Sequence, residues 1–255
     1  MDRIVDFPIV VFALAFMGLW LSARIGGFIR NRQPDAKEEV SKDYDLVMAA
    51  ILTMLGLIIG FSFAVAVGRY DERKNFEEAE ANAIGTEYVR VDFLPPDNAA
   101  KVRALLRSYL DQRIRFYNTR DNHQLQQIYA RTSEIQTEMW DQVRVSATAQ
   151  PTPVSALTVS GMNDVLDSEG YTQAAWLYRM PGEAWVMMAI IAIFCNLMIG
   201  YRARHRGATG VLFLVIPLVV AFSFLLVADI DSPRGGIIRV RPVNLMSLSQ
   251  SFHAQ

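Results

Sequence analysis

GLIIGFSFAVAVGRYDERKNFEEAEANAIGTEY, residues 56–88, decides how this chain is built. Its opening is apolar enough for a bilayer, its remainder is charged and amphipathic, and no proline occurs from Asp35 to Leu94. A proline inside a helix removes a backbone hydrogen bond and clashes with the preceding turn, so a proline-free run of this length permits one continuous helix. The reading is a helix that leaves the membrane and continues as the first helix of an aqueous domain.

Outward from that helix, four windows are nearly free of charge over roughly the 17–25 residues that a hydrocarbon core demands. They are Phe7–Leu21, extendable to Ala23, then Leu46–Val67, Ala184–Ile199 and Val211–Ala228. Trp20, Tyr44, Tyr70, Trp185 and Tyr201 lie near their ends, where interfacial aromatics belong. The first window reads as an uncleaved anchor and not as a signal peptide. Arg3 is opposed by Asp2 and Asp6, and the apolar run continues past Ala13-Leu14-Ala15. With 255 residues, 52% of them hydrophobic, and a net charge of −1, the chain fits an integral membrane protein. The same balance excludes a disordered chain and a nucleic-acid partner. Its single cysteine, Cys195, allows no intrachain disulfide.

The expected organisation is all-α, an integral membrane protein with four transmembrane helices and a helical extramembrane domain between the second and third. Residues 1–68 hold the first two spans, 69–183 the helical domain, 184–228 the last two spans and 229–255 a C-terminal tail. Within the domain, the first helix ends at Pro95-Pro96. A second follows Asp97 as N-cap, with Val102, Leu105, Leu106, Tyr109, Leu110, Ile114 and Tyr117 on one apolar face. A third runs from about Asn122 to Ser146, and a shorter one from about Val154 to Asp167, ended by Gly170. The only strand-like alternation is Gly236–Val240. Four crossings put the N-terminus, the helical domain and the tail on one side, but Lys and Arg near the spans balance on the two sides and leave the orientation open.

Gly56, Gly60, Ala64 and Gly68 recur every fourth residue, a small-residue face for helix packing. About 100° around the helix, Thr53, Leu57, Phe61 and Val65 form a second stripe. Spacing alone favours a lipid-facing or core stripe; the functional alternative is a ring that constricts a pore in an oligomer and gates by dewetting. Asp229 and Asp231 close the fourth window, where carboxylates oppose the helix dipole and are costly unless paired. A charge clamp with Arg69, Arg73 or Arg234 would hold the tail against the long helix, with Gly235-Gly236 allowing the turn. Two carboxylates without further oxygens make a poor cation cage. No catalytic constellation, cofactor motif or metal-ligand spacing is present, and His123, His205 and His253 lie in three different segments, so an enzyme is not expected. Arg103, Arg107, Arg113, Arg115, Arg120 and Arg131 alternate with acidic residues and read as a solvated, mixed-charge face.

At these residues the chain resembles a bestrophin-like domain family of bacterial and plant membrane proteins. The resemblance lies in the second span running into RYDERK, in EANAIGTEYVRVDFLPP (residues 80–96) followed by LLRSYLDQRI, and in DIDSPRGGIIRV (residues 229–240). It departs near Asp167, where DSEGYTQ lacks an expected basic residue. The chain is more distantly similar to bestrophin chloride channels, which carry a Gly-Phe pair and then Arg-aromatic nine residues after the glycine. Gly60-Phe61 and Arg69-Tyr70 have that spacing here. The resemblance implies a neck lined by Phe61, Leu57 and Thr53, although Thr53 departs from the apolar pattern. It also implies passive conduction of a small anion, a homo-oligomer, pentameric in bestrophins, and a cytoplasmic helical domain on an inner-membrane protein. The acidic calcium cluster of bestrophins is not recognisable. The alternative from another class is a non-conducting scaffold or stress-responsive sensor in the bilayer.

Overall fold

The computed structural model describes residues 5–32, 40–202 and 209–254, and among these the regular structure is helical. Eight α-helices follow in order: α1 (Pro8–Asn31), α2 (Val40–Arg90), α3 (Pro96–Asn118), α4 (Asn122–Ala149), α5 (Pro153–Leu177), α6 (Gly182–Arg202), α7 (Thr209–Asp231) and α8 (Val243–Ala254). Four helical stretches, Pro8–Asn31, Leu46–Phe93, Pro153–Arg202 and Leu214–Asp231, contain windows long and apolar enough to cross a membrane.

α2 is the continuous helix that the proline-free run predicts. Its 51 residues correspond to about 75 Å at 1.5 Å per residue. It ends through a 3-10 turn, Val91–Phe93, after which Leu94 turns extended. A residue preceding proline is pushed out of the helical region by the ring, and Pro95 supplies that push.

The chain divides into two compact units, Met1–Arg69 with Arg179–Arg239, and Tyr70–Tyr178 with Val240–Gln255. The tail therefore divides at Arg239, and its last part belongs with the helical unit.

In the first unit, α1 packs on α6 and α7. The close approach of α1 and α6 depends on two glycines absent from the sequence reading. A Cβ on Gly26 would collide with the Leu197 carbonyl, and one on Gly200 with that of Ala23. Ser22 Oγ donates to the Ile193 carbonyl at 2.7 Å. Tyr44 Oη donates to that of Met198 at 2.8 Å.

In the second unit, α3, α4 and α5 pack in sequence and α8 lies on α3. The apolar stripes read from spacing fill its core: Val102, Leu106, Tyr109 and Leu110 from α3, and Ile135, Met139 and Val143 from α4, are buried against Ile84 and Met162. Tyr88 of α2 stacks on Phe252 of α8 with ring centroids 3.8 Å apart.

Three local expectations need correction. α3 begins at Pro96, with Pro95 as its cap, so Asp97 lies in the first turn instead of capping it. A proline at the first helical position gives up only an N–H that would be unsatisfied anyway. α5 continues through Gly170 to Leu177. A mid-helix glycine costs about 1 kcal/mol relative to alanine, and neighbours fixed on both sides offset it, since Glu169 and Thr172 bond to groups on other helices. Residues 236–240 form bends and irregular backbone instead of a strand.

Candidate functional site

The membrane part of α2 turns a narrow face to its own chain. Leu55, Ser62 and Ala66 are buried, spaced by two and then one helical turn. Both stripes singled out in the sequence lie elsewhere on the helix surface. Leu57 is 56% and Phe61 63% exposed. Thr53 is exposed as well, its hydroxyl bonded to the Ala49 carbonyl of the preceding turn at 2.9 Å. A Cβ placed on Gly56, Gly60 or Gly68 meets nothing within 4 Å, and Ala64 is exposed. Neither the apolar ring positions nor the small-residue face is used in close packing among the described residues.

Asp229 and Asp231 are buried at the end of α7, where main-chain donors engage them. Asp229 accepts from the N–H groups of Ile237 and Ile238 at 2.7 and 2.8 Å. It thereby closes an anion-capped turn over the intervening IDSPRGG segment, residues 230–236. Asp231 accepts from Met180 N–H at 3.1 Å, tying the entry of α6 to the exit of α7. Gly235 and Gly236 matter through space, not through unusual backbone angles: a Cβ on either would strike the Asp6 or Asp229 carbonyl respectively, and no described glycine has a positive φ. Arg179 pairs with Asp6 in the same unit. Arg69 is half-buried, its Nε without a hydrogen-bond partner among the described residues. Arg73 is 1% exposed and donates to the Ala175 carbonyl at 3.2 Å. Arg234 is half-buried.

In the helical unit α2 changes character and carries acids into the interior. Glu80 accepts from Arg113 Nε and, at 3.5 Å, from its Nη2. Tyr117 and Thr172 also donate to Glu80, at 3.3 and 3.2 Å. Glu169 approaches the other side of the guanidinium at 3.3 Å. Burial pushes the Glu80 carboxyl upward in pKa against the pull of Arg113. Burial also opposes the charge of Arg113, but Glu80 and its neighbours more than offset this and hold the guanidinium protonated. The solvated-face expectation does not hold for Arg113, which has no exposure at all. Its position three residues after Leu110 and three before Phe116, both core residues, was the available signal. Glu77, one turn before Glu80, accepts from the N–H groups of Asn244 and Leu245 at 2.9 and 3.0 Å. A carboxylate there satisfies the orphan donors of the first turn of α8 and complements its dipole.

No group of three or more acidic, cysteine or histidine side chains suited to a metal ion exists among the described residues. His123 and His253 are exposed, and His205 lies outside the described residues.

The Bestrophin-like domain matches residues 9–245. The chain belongs to the Bestrophin-like family. A search of curated proteins finds no match. Among solved structures, the chain is similar to a bacterial Bestrophin homolog from Klebsiella pneumoniae phased with zinc, at 13% identity, a TM-score of 0.67, and coverage of 96% of this chain and 97% of that one. A single-residue variant of that homolog gives 12% identity, a TM-score of 0.68, and coverage of 94% and 97%. A structure described as a membrane protein variant gives 13% identity, a TM-score of 0.62, and 97% of each chain. At such identities the likeness is one of fold.

Proposed function

We propose that this protein is a homo-oligomeric passive anion channel whose neck is formed by α2, with Thr53, Leu57 and Phe61 facing the pathway. The observation that carries the reading is the exposure of Leu57 and Phe61 on a helix whose buried side is Leu55, Ser62 and Ala66. A single chain leaves the stripe open, and a ring of copies would turn it inward, where apolar side chains gate by dewetting. Gly56, Gly60, Ala64 and Gly68 then serve as the face on which neighbouring chains approach closely.

The same reading makes α1, the first part of α2, α6 and α7 the four crossings of a cell inner membrane, with the helical unit between the second and third on the cytoplasmic side. Five copies follow from the similarity to bestrophins. Charge pairing of Asp229 or Asp231 with Arg69 or Arg234 would supplement their main-chain contacts and clamp the tail. The partners are the lipid bilayer, further copies of this chain and small anions.

Ion flux from liposomes holding the purified protein tests this reading. Anion-selective flux under a chloride gradient that changes in rate or selectivity with Phe61→Ala and Leu57→Ala is the expected result. Flux indifferent to both substitutions removes the neck. A tight liposome with an intact oligomer favours a non-conducting scaffold or sensor.

A further inference from the structure

The side of α2 that its own chain leaves uncovered keeps one direction along the helix. Phe61, Glu72, Ala79 and Thr86 are exposed, and each is followed by a buried residue, Ser62, Arg73, Glu80 and Glu87 respectively. Their spacings of eleven, seven and seven residues are close to three, two and two turns of a helix with 3.6 residues per turn. Leu57, exposed one turn before Phe61, belongs to the same line.

The chemistry of that line changes at one point. No charged residue lies between Phe61 and Arg69, and Glu72 is the first on the exposed line. It stands about 16 Å of helix beyond Phe61. Glu72 makes no ion pair among the described residues. The bases near it in sequence point elsewhere. Arg73 is buried and donates to the Ala175 carbonyl, and Arg69 is half-buried, its Nε shielded from solvent. Lys74 projects about 160° around the helix from Glu72. Asp71 adds a second exposed carboxylate beside it.

Resting on the reading of α2 as the pathway helix, we propose that Glu72 sets the charge selectivity of the pathway on the far side of the neck. One carboxylate from each copy makes a ring of like charge, and rings of Asp or Glu favour cations over anions in pores. The ring lowers the local concentration of anions at that mouth and so limits their flux through the neck. Salt weakens it, because the Debye length shrinks from about 10 Å at 0.1 M to about 3 Å at 1 M.

Full-length protein in liposomes, with the charge at position 72 altered after purification, tests the assignment. Glu72→Cys supplies a thiol, and the natural Cys195 is buried. A thiosulfonate reagent bearing a sulfonate restores a negative charge there, and one bearing a trimethylammonium group makes it positive, both on an oligomer already folded. Chloride flux at low salt should rise roughly threefold or more from the first adduct to the second, and the difference should vanish near 1 M salt. Glu72→Gln should conduct like the unmodified Cys variant. Glu134→Cys, exposed on α4, should respond to neither reagent. Chloride flux that changes with Phe61→Ala but ignores the charge at position 72 overturns this inference and leaves the neck standing. Equal responses at positions 72 and 134 overturn it as well. Liposomes tight to chloride and potassium in every form overturn the pathway reading and this one with it. Potassium flux that falls as position 72 turns positive upholds the ring and makes the permeant ion a cation.

Discussion

Glu80 and Arg113, both without solvent exposure, form an ion pair that joins α2 to α3 33 residues away in sequence. Burying two charges forfeits their hydration, and the pair is tolerable because Tyr117, Thr172 and Glu169 occupy the remaining hydrogen-bonding positions. Removing one partner is therefore worse than removing both. Arg113→Ala should strand two carboxylates and destabilise the helical unit by about 3–5 kcal/mol. The double substitution Glu80→Leu/Arg113→Met should recover part of that loss, since Glu169 then remains the one carboxylate without its guanidinium. Thermal unfolding of the full chain in detergent, followed by tryptophan fluorescence, measures both.

Glu87 is a buried acid of the opposite kind. It has no exposure and neither carboxylate oxygen has a hydrogen-bond partner among the described residues. A Cβ on Gly161 would collide with it. Burial raises its carboxyl to about 8, against the pull of Arg90 and with a smaller push from Asp164. Because the folded pKa lies above the usual 4.5, the folded state holds a proton that the unfolded chain releases between those values. Stability should then fall as pH rises from about 4.5 to about 8 and level off beyond. Glu87→Gln, neutral throughout, should flatten that part of the stability profile in a pH series of denaturant midpoints. A wild-type slope unchanged by the substitution would assign the dependence to other groups.

The continuous α2 was legible because its signal is an absence: with no proline to stop it and an apolar run at its start, nothing in the sequence ends the helix before Pro95. The amphipathic core of α3 and α4 was legible for a similar reason, since a three-to-four-residue apolar period survives without knowledge of the partner. Arg113 was not, because an arginine among alternating charges looks solvated until Glu80 and Glu169 are placed around it from two other helices. The tail aspartates show the same limit. Their cost at the end of α7 was evident, yet main-chain donors at Ile237, Ile238 and Met180 could equally have been arginines. Sequence carries the requirement for a partner and leaves its identity to the fold. The glycine stripe was legible as a face, whereas Gly26 and Gly200 reveal their role only when α1 and α6 meet.

That contrast between glycines separates packing within the chain from the packing between chains proposed above. Gly26→Ala or Gly200→Ala places a methyl group against a backbone carbonyl that cannot rotate away. Each should destabilise the membrane unit by about 1–3 kcal/mol. Gly60→Leu meets nothing in its own chain and should leave the unfolding midpoint of a single chain nearly unchanged while lowering the oligomeric mass measured by light scattering in detergent. An oligomer untouched by Gly60→Leu would place the subunit contact on another surface.

Glu77 predicts how the C-terminal helix is held. It is 1% exposed and accepts three bonds from the start of α8: Asn244 N–H, Leu245 N–H and, at 2.7 Å, the Asn244 side-chain amide. The carboxylate stands in for a cap that α8 lacks in its own sequence, since its first turn contains no acid. Glu77→Gln keeps the shape but turns one acceptor oxygen into a donor facing the helix, so the loss should be local, about 1–3 kcal/mol of protection. Hydrogen exchange should rise at the amides of α8, while Ile135 and Met139 in the core of α4 keep their protection. Uniform acceleration across both helices would instead make Glu77 a determinant of the whole unit, with α8 opening only when the core does.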